Sequence, residues 1–113
     1  PNRGRIMSGA FGDMGNLLKQ AQKMQGEIDK METELSEARI EGSAGGGAVQ
    51  VVVSGDSMIQ EIKISDEAFA GDDKELFEDL VLAALRDGLN RAKAMKKERM
   101  QRAMGGLNLP GLF

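Results

Sequence analysis

The stretch Gly42 to Ile64, GSAGGGAVQVVVSGDSMIQEIKI, decides the fold, because it is where the spacing of apolar residues changes. Within it the period is two. Val49, Val51 and Val53 fall on one face of a strand, and from Ile59 to Ile64 isoleucines are interleaved with Gln, Glu and Lys, the pattern of a half-buried sheet. Gly55 and Asp56, between these runs, fit a hairpin turn. A shorter strand is expected at Arg39 to Ser43, just before the glycines, so the middle of the chain reads as an antiparallel sheet of about three strands.

Before this stretch the period is helical. Met14, Leu17, Ala21, Met24, Ile28, Met31, Leu35 and Ala38 follow one another at alternating steps of three and four, an unbroken a/d seam with Lys, Gln, Glu and Asp on most other positions. A helix is expected from Asp13 to Glu37, about 37 Å long, with Gly26 its one weak point. After the stretch, GDDKE opens a second helix. Asp72 is placed as N-cap, Glu75 completes an acidic variant of the capping box, and Asp73 suits the helix dipole. This helix runs to Met104, stops at Gly105-Gly106, and is about 50 Å long, more than so small a body covers. The fold class is α+β: long helix, three-stranded antiparallel sheet, long helix. Residues 13–104 form one domain, between a flexible N-terminal segment, 1–12, and a C-terminal tail, 105–113.

The core available to this domain is thin, since four Phe are its only aromatic residues and Met is used eight times in 113 residues. Small chains bury a lower share of their surface, so self-association is a natural gain. With no Cys and no His, disulfides, thiolate nucleophiles, Ser-His-Asp triads and the usual zinc sites are excluded. No enzyme activity, cofactor or metal is expected. No apolar run is long enough for a membrane span, PNRGRIMSGAFG lacks the apolar region of a signal peptide, and a reducing cytoplasm is the default.

Charge is unevenly placed. The chain has 18 acids against 15 bases, yet Arg91, Lys93, Lys96, Lys97, Arg99 and Arg102 gather around a single acid. At about 100° per residue, Phe77, Leu80, Val81, Ala84, Gly88, Ala92 and Met95 form one stripe, with Leu85 at its edge, and the next positions on it are Arg99 and Arg102. The buried face is thus handed to arginine, and the last turns are expected to stand clear of the core as an arm. Both helices connect to the sheet at their near ends, so their far ends should lie together, antiparallel, with Lys19 and Lys23 beside the basic tip. Asp56 to Asp79 adds nine acids against Lys63 and Lys74, leaving positive tips on a negative body.

Two readings fit the basic run: an array suited to phosphates, or a solvated helix face with weak i,i+4 pairs. Two also fit the a/d seam: a coiled-coil surface for a partner or second copy, or packing against the chain's own second helix. Met24 and Met31 are gap-filling core residues. GSAGGG lacks the Lys-Ser/Thr of a phosphate loop and leads into a strand, so it reads as a turn. Asp72, Asp73, Glu75, Glu78 and Asp79 lack the alternating spacing of a calcium loop. The scattered Phe residues offer no stacking platform, so any nucleic-acid binding should be to the duplex backbone.

MGNLLKQAQKMQ, EGSAGGGAVQVVVSGDSMIQEIKIS, DDKELFEDLVLAAL with Asn90 and Ala92, and the ending GGLNLPGLF, in this order and spacing, resemble the YbaB/EbfC family of bacterial nucleoid-associated proteins. The resemblance spans Met14 to Phe113. It implies a small cytoplasmic, nucleoid-located homodimer shaped like tweezers, whose protruding helical arms bind double-stranded DNA. Carried onto this chain by charge, the DNA-binding residues are Lys19, Lys23, Arg91, Lys93, Lys96, Lys97, Arg99 and Arg102. Arg3 and Arg5 lie outside the matched region. The alternative function is a coiled-coil scaffold that clamps another protein without touching DNA.

Overall fold

The computed structural model describes residues 2–105, with side chains from Asp13 onward. Helix α1, Asn2–Glu37, leads into strands β1 (Ile40–Ala44), β2 (Val49–Val53) and β3 (Ile59–Ile64), then a short helix α2 (Asp66–Ala70) and the long α3 (Lys74–Gly105). The three strands form one antiparallel sheet in the order β1-β2-β3. The α+β reading holds, with two differences in the helices. Helix α1 starts at Asn2 and not at Asp13, and α2 is an addition. Its signal was SDEAF: the Ser65 hydroxyl caps it by accepting from the Ala68 amide at 3.1 Å.

Sheet register explains the core. Ile40, Gly42 and Ala44 of β1 pair with Val53, Val51 and Val49 of β2, and all three valines are at most 1% exposed. On the other side Val49 pairs with Ile64, Val51 with Ile62 and Val53 with Ile59, while Gln60 is left over in a bulge. The extra residue brings Ile59 into phase with Ile62 and Ile64, so all three face the same way as the valines. Helix α3 nevertheless covers β1 and β2 and leaves β3 bare. Ile59, Ile62 and Ile64 remain 49, 46 and 38% exposed.

Helix α3 docks by a backbone contact. Its buried residues are Ala84, Gly88 and Ala92, and a Cβ added to Gly42 would lie 2.6 Å from Gly88 Cα and 2.8 Å from the Ala84 carbonyl oxygen. Phe77, Leu80, Val81, Leu85 and Met95 flank this line half-buried, so the stripe read from the sequence is the one that packs. The cap falls one residue later than expected. Asp73, not Asp72, accepts from the Leu76 amide at 3.0 Å, and its carbonyl takes the Phe77 amide.

The β2–β3 connection ties the sheet to α1. The Ser54 amide donates to the Met58 carbonyl at 2.8 Å, and the buried Ser54 hydroxyl accepts from the Met58 amide and donates to Asp56. The left-handed residue of this turn is Ser57, with φ of 67°, and not Gly55. Gly55 serves the contact beneath it: its amide caps the last turn of α1 by donating to the Leu35 carbonyl at 2.7 Å, and a Cβ there would lie 2.8 Å from that same oxygen.

Candidate nucleic-acid interface

Met31 and Leu35, both under 5% exposed, anchor α1 at the body. Beyond them it runs antiparallel to the end of α3: Arg99 meets Glu34 at 3.7 Å, and Glu27, Lys30, Met31, Arg102 and Ala103 line the same groove. The last described turn of α3 is therefore level with about Gln25 to Ile28, and α1 extends past that level. The molecule measures 87 × 24 × 17 Å with a radius of gyration of 23.0 Å, against about 13 Å for a compact chain of this length. It is a small body carrying a long arm.

This geometry corrects the freestanding arm. Ala92 is fully buried and Met95 packs on the core, so the basic run begins while α3 still lies on the sheet. Past Met95 the apolar contact moves round the helix to Met100, Ala103 and Met104, each half-buried. Arg99 occupies the stripe because its guanidinium reaches an acid on α1 while its stem packs. The two far ends do lie side by side, but Lys19 and Lys23 extend past the last described turn of α3 and not beside it.

The eight sequence-selected cations divide by partner. Arg91 lies over β1, where its Nε donates to Asp87 at 3.1 Å. Asp87 also accepts the Ser43 amide at 3.0 Å, and this backbone bond first, then Arg91, holds its carboxyl below the usual aspartate value. Arg102 donates to Glu98 at 2.6 Å, and Arg99 takes Glu34. In contrast Lys19, Lys23, Lys93, Lys96 and Lys97 are exposed, with no carboxylate of the described residues in ion-pair distance. Exposed ion pairs are worth only about 0–1 kcal/mol, so the arginines are occupied and not locked. The sequence reading left out Lys30, which lies on the acidic half of α1 yet faces the same groove as Arg99 and Arg102.

The profile of the YbaB/EbfC DNA-binding family matches residues 11–107. The chain belongs to the YbaB/EbfC family. Among similar proteins, a nucleoid-associated protein of Acetivibrio thermocellus is 45% identical over 106 residues, 93% of this chain and 94% of that one. A nucleoid-associated protein of Desulfotalea psychrophila is 46% identical over 100 residues, 88% of this chain and 94% of its own. A crystal structure of an uncharacterized protein from Helicobacter pylori superposes with a TM-score of 0.63 at 28% identity, covering 87% of this chain and 97% of that one. Membership of YbaB/EbfC, a DNA-binding family by its description, agrees with a site made of charge and shape. Among the described residues no His, Cys, Asp or Glu cluster is arranged for a metal, and no helix is long and apolar enough to cross a membrane.

Proposed function

We propose that this YbaB/EbfC protein acts in the nucleoid as a homodimer that binds double-stranded DNA, chiefly through its phosphates, and so helps to organise the nucleoid or to modulate transcription. The observation that carries this is the split among the arm cations. Lys19, Lys23, Lys96 and Lys97 project from the arm without an acidic partner among the described residues, while the arginines nearer the body are matched to acids. Unmatched charge is what releases counterions on meeting a phosphate backbone, and the nucleoid-associated relatives supply the cellular setting. Lys93 joins the contact at the arm's root, Arg99 and Arg102 when their pairs open, and Arg91 last.

A second copy fits the apolar face that α3 leaves uncovered. Asp87 and Arg91 reach the β1 side of α3, so the opposite flank, with Leu82, Leu85 and Leu89, lies towards β3 and its three exposed isoleucines. On β1 and β2 this sheet face is filled by the chain's own α3, which favours its β3 edge for a second copy. Two protomers joined there would bring two arms to one duplex, raising affinity through effective concentration.

The test is a duplex gel shift over a salt series, with the native protein beside a variant carrying Lys96→Glu, Lys97→Glu and Arg99→Glu. If about six phosphates are neutralised, native affinity falls roughly 10³-fold between 50 and 200 mM salt, and the variant binds far more weakly at every salt. Binding that ignores salt, or survives the triple reversal, would sink the proposal.

A further inference from the structure

The groove between α1 and α3 holds more charge than its ion pairs use. Glu27, Lys30 and Glu34 follow one another along one side of α1, and Arg99 and Arg102 face them from α3 across a floor of Met31 and Ala103. One contact sets the register: Arg99 meets Glu34 at 3.7 Å. Because the helices run antiparallel, the next turn of each puts Lys30 opposite Arg102. These are like charges. Arg102 pairs with Glu98 of its own helix at 2.6 Å, and Lys30 has no carboxylate of the described residues in ion-pair distance. Two cations facing each other across an open groove repel until an anion lies between them.

We infer that this groove seats one phosphate of the duplex backbone, with Lys30 and Arg102 as its walls and Arg99 as a third donor, and that Glu34 holds Arg99 in the phosphate's place until DNA arrives. The inference rests on the DNA-binding reading above and adds to it a contact residue, Lys30, and an internal competitor, Glu34. The site is accessible: Lys30 is exposed, and the side chains of Arg102 and Arg99 are 66 and 38% exposed. Its occupant is also loosely held. A charge-assisted hydrogen bond closes to about 2.7–2.9 Å, so the 3.7 Å between Arg99 and Glu34 is an ion pair without such a bond. A carboxylate on α1 meets Arg99 alone, whereas a phosphate with several acceptor oxygens spans all three cations.

The exchange has a signature in salt dependence. When a phosphate displaces Glu34 from Arg99, the freed carboxylate regains its own counterion, so Arg99 adds little to the net release. Lys30, unpaired beforehand, adds a full share. Glu34 is therefore a positioning residue: it keeps Arg99 aimed across the groove and holds DNA affinity down.

The test is fluorescence anisotropy of a labelled duplex with the full chain over a salt series. Glu34→Gln should tighten binding about three- to fivefold and steepen the log–log salt slope by about 0.9 for each arm on the duplex. Glu32→Gln, the same charge change at an exposed position on the other side of α1, should do neither. Lys30→Gln should weaken binding about three- to fivefold and lower the slope by about 0.9 for each arm. Combined with Arg102→Gln it should lose less than the product of the two single losses, because both residues hold one phosphate. Without DNA, Lys30→Gln should melt no lower than the native protein, since it removes a like-charge pair, and this separates lost contact from damaged structure. Equal effects of Glu34→Gln and Glu32→Gln, multiplicative losses in the double variant, or a lower Tm for Lys30→Gln would each overturn the groove site. If the native protein still binds with a steep salt slope in that case, the general DNA-binding reading survives; if it binds no duplex at all, both fall.

Discussion

Adding one methyl group at Gly42 and at Gly26 should move stability in opposite directions. At Gly42 the new Cβ would stand 2.6 Å from Gly88 Cα and 2.8 Å from the Ala84 carbonyl oxygen. Both are backbone atoms of α3, so no rotamer change relieves them. The Gly88 amide nitrogen is nearer still, so restoring ordinary contact requires α3 to lift from β1 by about 1 Å, a gap that forfeits roughly a quarter to a half of the dispersion energy across it. That gap opens over Val49, Val51, Val53, Ala84 and Ala92, the whole buried core on this side. Overpacking of this kind costs about 1–3 kcal/mol, towards the upper end when backbone must move, offset by about 0.5–1 kcal/mol from removing a glycine's freedom in the unfolded chain. The net loss for Gly42→Ala is about 2 kcal/mol, or roughly 8 °C in Tm for a domain of this size.

At Gly26, in the interior of α1, nothing lies within 4 Å of the added Cβ. Gly26→Ala therefore collects only the helix-propensity gain of about 0.8–1 kcal/mol, roughly 4 °C. Far-UV circular dichroism melts at one fixed protein concentration measure both, the concentration being held because association shifts Tm. Gly42→Ala melting at or above the native temperature would refute the Gly42–Gly88 contact. A loss at Gly26 would refute the open environment there.

Three further outcomes are expected. Ile62→Lys, at a site 46% exposed on the uncovered strand, should shift the protein to monomer in analytical ultracentrifugation with its circular dichroism spectrum kept; an unchanged dimer would remove β3 from the interface. In fluorescence anisotropy over a salt series, Lys96→Ala with Lys97→Ala should lower the log–log salt slope by about 1.8 for each arm on the duplex, whereas Arg91→Ala should leave it nearly unchanged, and equal effects would erase the distinction between paired and unpaired cations. The Asp87 carboxyl is held below its ordinary value by Ser43 and Arg91, so its charge contributes stability above the unfolded-state pKa of about 3.9. That contribution is lost as pH falls through the lower folded-state value. Asp87→Asn should therefore be less stable than the native protein near neutral pH and converge with it in acid, and a pH-independent difference would show that the charge is not what is being held.

The elements legible in the sequence were those written as a period. The alternating valines and the Phe77 to Met95 stripe reappear with the expected face inward, and the a/d seam reappears as a helix covered from Met24 to Leu35 but exposed at Met14, Leu17 and Ala21. What stayed hidden depended on contacts between distant segments. Nothing near Gly55 says that it lies under Leu35, so its glycine reads as a turn residue although Ser57 is the left-handed one. Nothing near Arg99 says that Glu34 stands opposite, so an arginine on an apolar stripe reads as departure from the core when it is a crossing between helices. The charge count was correct, but which charges were already matched could be known only after folding.

The bulge at Gln60 has a consequence of another kind. A strand's alternation works like a two-letter reading frame, and Ile59 is out of frame with Ile62 and Ile64 until one residue is skipped. Gln60 provides the skip and packs against nothing, being exposed itself. Deleting Gln60 would put Ile59 two positions before Ile62, so strict alternation would keep it in the row with no bulge at all. The row of three isoleucines is thus kept by a local break in pairing that absorbs one extra polar residue, and straightening the strand with Gln60 still in place is what would turn Ile59 to the far side of the sheet.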